Sequence, residues 1–430
     1  MRKVCLINPP QLTSLDDRLD PPLGLLYIAA SLENNGIDVS ISDLASKSPE
    51  EWPEAIDDAD IYGMTIFSAS LNTARKIAKA IKERDKKAVI VAGGPHPTSL
   101  PKETLAYPEF DHVLKGEGEH AFLDFINNGG AQNNGVIIAD RIKNLDDLPL
   151  PARHLVDMDS YTREVEGGRA ASLITARGCP YSCGFCCKDV HGTKVRFRSV
   201  GSVIEEIEEM QRKNEIKSFI FYDDIFTLNS KRLAKFCDAF KDMNMTFRCN
   251  GHSGTNTYEE YVALREAGCK EIAFGIESGS QTILDAMNKR TRVEQNMETI
   301  LTAKRAGLLT KAYVVSGFPG ETQKTIDETK RFMEKADPDK FTVFQFVPLP
   351  GCDVWDNPEK YGVTEMSNEW DEFYNISGDY EGGAAFATKD LSAERSKELH
   401  DDLVRHLLDR GQRGQLQGYY EKLKSPASSE

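Results

Sequence analysis

No stretch of this chain approaches the roughly 18 to 20 consecutive apolar residues that a membrane-crossing helix needs. The opening Met1-Arg2-Lys3-Val4-Cys5-Leu6-Ile7-Asn8-Pro9-Pro10 lacks the apolar core and small-residue cleavage site of a secretory signal. A cytoplasmic chain with no membrane partner is therefore expected. Positive charge is also short: 53 Lys and Arg stand against 68 Asp and Glu, a net charge of −15. Such a balance repels nucleic-acid phosphates and anionic lipid, so no nucleic-acid partner is expected either. Internal repeats are missing. The nine cysteines are an odd number, and four of them crowd between 179 and 187. A secreted disulfide framework does not look like this, and clustered thiols in a reducing compartment point to metal or catalysis.

What is there is ample chain. With 430 residues, 40% of them apolar, two or three domains can each bury a core. The first 140 residues alternate strand and helix patterns, as a parallel α/β sheet requires. Val4 to Asn8, Ile37 to Ile41, Ile61 to Phe67, Ala88 to Ala92 and His112 to Leu114 read as strands. Leu23 to Asn34 and Thr73 to Arg84 read as helices. The last two strands run into Gly93-Gly94-Pro95-His96 and Gly116-Glu117-Gly118-Glu119. Short apolar strands with Gly-rich turns predict a doubly wound, Rossmann-like sheet, whose ligands sit at the strand C-termini.

Residues 141–167 read as a linker, with Asp146-Asp147-Leu148-Pro149-Leu150-Pro151 at its start and the Asn/Gly-rich run 128–135 just before it. A second α/β series covers 168–357. Its strands are Ser172 to Ala176, Ser218 to Tyr222, Met245 to Arg248, Glu271 to Ile276, Lys311 to Val315 and Phe341 to Phe346. Six strands with intervening helices predict a partial (β/α)6 barrel, with chemistry at the strand C-termini. Residues 358–430 form a mostly helical C-terminal region, helical over Leu391 to Lys424, ending in a polar tail from Pro426 to Glu430.

Arg177-Gly178-Cys179-Pro180-Tyr181-Ser182-Cys183-Gly184-Phe185-Cys186 follows the first barrel strand. Three thiolates spaced C-x3-C-x2-C on one loop, Cys179, Cys183 and Cys186, can ligate three irons of a cubane, whereas carrier clusters use four cysteines. The fourth iron is then open to a small chelating molecule. The competing readings are a zinc site completed by His191, or Cys187 standing in as a ligand.

This motif resembles the radical S-adenosylmethionine superfamily, whose signature carries an aromatic residue before the last cysteine, here Phe185. The resemblance implies a [4Fe–4S] cluster whose open iron is chelated by the methionine end of S-adenosylmethionine. An electron then splits the S–C5′ bond to give a 5′-deoxyadenosyl radical. It further implies that Asp223 or Asp224, after the second strand, receives the methionine ammonium. Glu277 and Ser278 would contact the ribose, and Gly317, in Gly317-Phe318-Pro319-Gly320, would let the adenine pass closely. Each has a bland alternative, since Asp223, Asp224, Glu277 and Ser278 can cap helices and Gly317 can make a plain turn. Arg248 and Asn250 share one face of the third strand and touch cofactor or substrate if that face is inward. Gln345 and His96 are further candidates. No residue is singled out as catalytic.

Ahead of such a barrel, the first domain is similar to the cobalamin-binding domain of one large branch of the superfamily. Gly93, Gly94, Gly116 and Gly118 would admit the nucleotide tail of cobalamin. The cobalt-ligating Asp-x-His-x-x-Gly of many cobalamin enzymes is missing, so the cobalamin would lack a protein histidine. The alternative is a structural or substrate-binding Rossmann-like module. The resemblance thus implies cobalamin-dependent methyl transfer to an unactivated carbon of a small molecule or peptide, with a flavodoxin or ferredoxin as reducing partner. Radical oxidation or cyclisation without methyl transfer is the second reading. A non-catalytic iron–sulfur electron carrier is the third.

Overall fold

The computed structural model describes residues 3–11, 16–129, 135–374, 385–411 and 413–414. The chain divides into two compact units. One is Met1–Arg163 with Ala176–Cys179 and Lys188–Asn214, and the other is Glu164–Thr175 with Pro180–Cys187 and Glu215–Glu430.

The first unit is built on six parallel strands: β1 Val4–Asn8, β2 Val39–Asp43, β3 Ile61–Thr65, β4 Val89–Gly93, β5 His112–Lys115 and β6 Val136–Ile138. They lie in the order β2-β1-β3-β4-β5-β6. The order reverses between β1 and β3, which makes their C-terminal ends the switch point where doubly wound sheets bind ligands. Val4 and Leu6 of β1 pack with Leu25 and Ala29 of the helix Leu23–Glu33 and with Phe122, Phe125 and Ile126 of the helix Gly118–Asn127. The helix Leu71–Arg84 buries Leu71, Ala74, Ile77, Ala78 and Ile81, a stripe at the three-and-four spacing of an amphipathic helix. The doubly wound expectation holds. β6 is an addition, because three residues between a Gly-rich run and a Pro-rich run are too few to show a period.

The second unit carries the expected second series: β7 Gly168–Leu173, β8 Ser218–Phe221, β9 Thr246–Gly251, β10 Cys269–Glu277, β11 Leu309–Ser316 and β12 Lys340–Gln345. These six are parallel and lie in chain order. β7 and β12 are not paired with each other, so the barrel is partial. Under the helix Ser230–Phe240, Phe221, Phe226, Phe236, Phe240 and Phe247 form one aromatic cluster. Phe247 and Cys249 are buried while Arg248 and Asn250 are half-buried, so the latter two take the strand face away from that helix.

Strand boundaries need correction: β2 is Val39–Asp43, not Ile37 to Ile41, and β3 ends at Thr65, not Phe67. The first barrel strand is Gly168–Leu173, not Ser172 to Ala176. Thr175 has left the ladder because its N–H and its hydroxyl both donate to the Asp223 carboxylate. The small residues Gly168, Ala170 and Ala171 also gave weak strand signal.

In the C-terminal region the helix Ala393–Asp409 is capped by Ser392, whose hydroxyl oxygen accepts the Arg395 N–H. An antiparallel pair, Val363–Met366 with Phe386–Thr388, adds β-structure the sequence reading lacks. The helix expected to run to Lys424 ends at Asp409 instead, where Gly411 at φ +78° turns the chain ahead of a two-residue strand at Arg413–Gly414; residues 415–430, with the tail from Pro426, lie outside the described residues.

Candidate functional site

The cysteine loop leaves and rejoins the fold through a two-stranded ribbon in which Ala176–Arg177 pairs antiparallel with Arg196–Phe197. Gly178 begins the loop with φ +95°, and a Cβ there would stand 2.8 Å from the Lys194 carbonyl oxygen and 3.0 Å from that of Gly192. Only glycine fits such a crossing. The Cys179 N–H donates to the Gly192 carbonyl at 3.2 Å.

Further along, the Cys186 N–H donates to the Cys183 carbonyl at 3.2 Å, and the Gly184 N–H to Met287 at 2.7 Å. The Asn288 amide holds the Ser182 carbonyl at 2.7 Å. Phe185 packs against Ile283, Met287, Phe318 and Phe346. The Lys289 Nζ stands 5.8 Å from the Phe185 ring centroid and 2.8 Å from Glu277 Oε1. Burial works against the Lys289 charge, but Glu277 and the thiols of Cys183 and Cys186 outweigh it and raise its pKa. A buried cation beside thiols stabilises their thiolate form.

Cys179, Cys183, Cys186 and Cys187 are half-buried and free of disulfides. Among the described residues no three His, Cys, Asp or Glu side chains gather about one ion position. His191, needed for the zinc alternative, meets Glu117 through Nδ1 at 3.0 Å. Three thiols on one loop suit the larger body of a cubane better than a single ion.

The other candidates in the second unit fall into two groups. Asp224 is exposed at the end of β8, Asn250 donates to the Asp223 carbonyl at 3.1 Å, and Arg248 lies 3.7 Å from the buried Glu271. Asp224 and Asn250 lie at the C-terminal ends of β8 and β9, whereas Arg248 sits in the body of β9, level with Glu271 of β10. Asp223, Ser278 and Gly317 are engaged by the fold itself. The Asp223 carboxylate binds Thr175, and the Ser278 hydroxyl meets Thr329 Oγ1 at 3.2 Å while accepting the Ser280 N–H at 3.1 Å. The Gly317 N–H donates to Glu321, and any side chain at Gly317 would strike Ser396 Oγ. Gln345 likewise donates to Ser396, at 3.2 Å. Glu277 combines burial, an ion pair and φ +62°, a backbone region that non-glycine residues seldom hold.

In the first unit, Gly93 ends β4 and Gly94 opens the next turn, while Gly116 and Gly118 frame the turn after β5. A Cβ on Gly94 would meet the Ile66 nitrogen at 2.8 Å, so backbone crowding alone already demands glycine there. His96 meets Ser68 Oγ at 3.0 Å through Nδ1. These small residues stand at the C-terminal edge of the sheet, where Gly116 and Gly118 are crowded by Ala139 and Ile28.

Sequence reasoning passed over the carboxylates of the same turn. Glu117 is fully buried and accepts from Arg196 Nη1 at 2.6 Å and Nη2 at 2.9 Å, Arg177 Nη1 at 3.2 Å, His191 Nδ1 at 3.0 Å and the Ile142 N–H at 2.9 Å. Glu119 accepts from Arg177 Nη2 at 2.5 Å. Burial alone would raise the Glu117 pKa, but the bonds from His191 and Arg196 and the Arg177 charge hold it well below the usual carboxylate range. Lys289 and Thr175 were missed as well. A lone Lys or Thr carries no spacing signal, whereas the repeated Gly-Glu of 116–119 could have been asked why it has two acids.

Comparison with known proteins gives two family matches, the radical SAM superfamily over residues 173–333 and the B12 binding domain over residues 20–126. An uncharacterized methyltransferase of Pyrococcus horikoshii is 31% identical over 388 residues, covering 82% of each chain. The anaerobic magnesium-protoporphyrin IX monomethyl ester cyclase of Rubrivivax gelatinosus is 26% identical over 369 residues, covering 78% of this chain and 66% of the cyclase. Among solved structures, the radical S-adenosylmethionine methyltransferase TsrM from Kitasatospora setae, with cobalamin and a [4Fe–4S] cluster bound, superposes with a TM-score of 0.69 at 18% identity. That match covers 95% of this chain and 88% of TsrM.

Proposed function

This chain belongs to the radical S-adenosylmethionine enzymes that carry a B12-binding domain, and from that membership we propose that it transfers a methyl group to an unactivated carbon of a small molecule or short peptide. The observation that carries the proposal is the joining, in one chain, of a B12-binding domain with a three-thiolate loop. A cluster with an open iron and a carrier of methyl groups serve different chemical ends, and in methyl transfer one would activate carbon and the other deliver it. When bound, the [4Fe–4S] cluster supplies the electron that cleaves S-adenosylmethionine, and cobalamin supplies the methyl group.

The chain's own residues bind and orient. Cys179, Cys183 and Cys186 hold the cluster, and Phe185 plugs its loop into the apolar cluster of Ile283, Met287 and Phe318. The buried Lys289 ammonium, held by Glu277, interacts electrostatically with the Cys183 and Cys186 thiols. Asp224 offers an exposed carboxylate to the ammonium of S-adenosylmethionine, with Asn250 and Arg248 on the neighbouring strand. Gly93, Gly94, Gly116 and Gly118 border the corrinoid tail. A flavodoxin or ferredoxin delivers the electron. No described helix is long and apolar enough to cross a membrane.

The similarity to the monomethyl ester cyclase favours one second reading, ring formation or oxidation without methyl transfer. Anaerobic reconstitution with iron, sulfide and hydroxocobalamin, then desalting and assay of iron and corrinoid, tests the proposal. About four irons per chain, as one cubane requires, with one corrinoid supports it. The same iron with no corrinoid overturns it. Given a substrate, a product heavier by one methylene keeps methyl transfer, and a product of unchanged carbon count moves the assignment to the second reading.

A further inference from the structure

The turn from Gly116 to Glu119 faces two ways. Its Gly116 N–H donates to Thr98 Oγ1 at 3.1 Å, in the short helix Pro95–Ser99 that follows Gly94. The two turns proposed to border the corrinoid are thus bonded to each other. The side chains of the same tetrapeptide go to the cysteine loop. Arg177 and Arg196 are directly paired residues of the ribbon from which that loop springs, and Glu117 accepts from both. Glu117 also accepts from His191 on the returning limb, one residue before Gly192, whose carbonyl receives the Cys179 N–H. Glu119 adds a second bond to Arg177. A continuous path of hydrogen bonds and short peptide steps therefore runs from Thr98 through Gly116 and Glu117 to Cys179.

We propose that this turn couples the two cofactor sites, with Glu117 as a positioning residue that transmits the state of the corrinoid-binding edge to Cys179. The inference rests on the function proposed above. Its physical basis is that the Glu117 carboxylate is buried away from bulk solvent among charged partners. If the Gly116–Glu119 backbone shifts when a corrinoid settles against it, the carboxylate must carry Arg177, Arg196 and His191 along or leave buried charges unpaired, which is strongly unfavourable. The ribbon and the start of the cysteine loop then move with it. Linkage is reciprocal, so a loop fixed by its cluster must in turn alter corrinoid affinity by the same factor.

The test is equilibrium binding of hydroxocobalamin to the full chain under anaerobic conditions, with and without the reconstituted cluster. In the parent protein the two dissociation constants differ by about fivefold or more, the lower range of measured couplings. In Glu117→Gln they coincide, while iron content stays at the parental level. The electron spin resonance line shape of the reduced cluster responds to corrinoid in the parent and not in the variant. Should Glu117→Gln fail to fold, His191→Ala takes its place, because that imidazole is part-exposed and its loss frees only the returning limb. It retains both cofactors and shows a smaller coupling factor. Equal constants in the parent, or full coupling in the folded variant, overturn the proposal alone. No corrinoid binding in any form of the parent overturns it together with the proposed function.

Discussion

Tyr181 lies flat on His252, with ring centroids 4.0 Å apart and planes 1° from parallel. Tyr181 stands between Cys179 and Cys183, and His252 directly follows β9. Burial, with the charge of Lys289 adding to it, pushes the His252 imidazole down to about 4, so the ring is neutral at pH 7. Its Nδ1–H donates to the Ser253 carbonyl at 3.0 Å. The pair is thus an aromatic stack that helps seat the cysteine loop. Aromatic pairs contribute about 0.5–1.5 kcal/mol beyond burial. His252→Ala should lower iron retention on gel filtration by severalfold, and His252→Phe should restore most of it. Equal retention in the two variants would give the stack no part in seating the loop.

Cys183→Ala should remove the broad visible absorption of the cluster and all cleavage of S-adenosylmethionine. Cys187→Ala should leave both in place. Deoxyadenosine formed by the Cys183 variant under dithionite would sink the ligand assignment.

The neighbouring acids Asp223 and Asp224 should behave differently. The Asp223 carboxylate is buried and holds Thr175, so Asp223→Asn should destabilise the fold by about 1–3 kcal/mol, read as a lower denaturation midpoint. Asp224 is exposed, so Asp224→Asn should weaken S-adenosylmethionine binding about tenfold without loss of iron or stability. Iron loss from the Asp224 variant would mean a structural role instead.

Lys289→Met removes a buried cation near Cys183 and Cys186. The reduced cluster carries one more negative charge, so losing that cation should make its midpoint potential more negative. A shift of tens of millivolts is expected, at about 59 mV per tenfold change for one electron. A positive shift in anaerobic potentiometry would contradict the placement of this charge.

Burial pushes Glu321 up to about 8, against the bonds it accepts from Gly317 and Thr325. A carboxyl raised in the folded state holds its proton there while the unfolded chain has lost it. Its contribution to stability is full below the unfolded pKa near 4.5 and disappears as pH rises through about 8. The parent should therefore lose more melting temperature between pH 6 and pH 9 than Glu321→Gln does. Parallel pH profiles for the two proteins would show that Glu321 is not protonated in the fold.

Both α/β series and the cysteine motif were legible because each rests on local pattern. Val4–Asn8 is a plain apolar run, Leu71–Arg84 a helical stripe, and the three cysteines a fixed spacing. The first barrel strand was misplaced because its residues are small and because Asp223, 48 residues on from Thr175, decides where the ladder ends. Asp223, Ser278 and Gly317 looked like equals of Asp224 in sequence. What separates them is what each side chain or backbone already touches: Thr175, Thr329 and Glu321. The Glu117 cluster was illegible for the same reason, since its partners Arg177, His191 and Arg196 are 60 or more residues away.

The pairing of Ala176–Arg177 with Arg196–Phe197 means that residues 178–195 begin and end at one place. The segment is in effect a cassette clipped at its base. Length can be added or removed between the clips without dragging on the strands that hold them, and the entropic toll of doubling such a closed segment is only about 0.6 kcal/mol. A cluster-bearing segment from a relative could be exchanged whole between Arg177 and Arg196, provided that the exchange preserves both arginines, a glycine at 178, aromatic residues at 181 and 185, and His191.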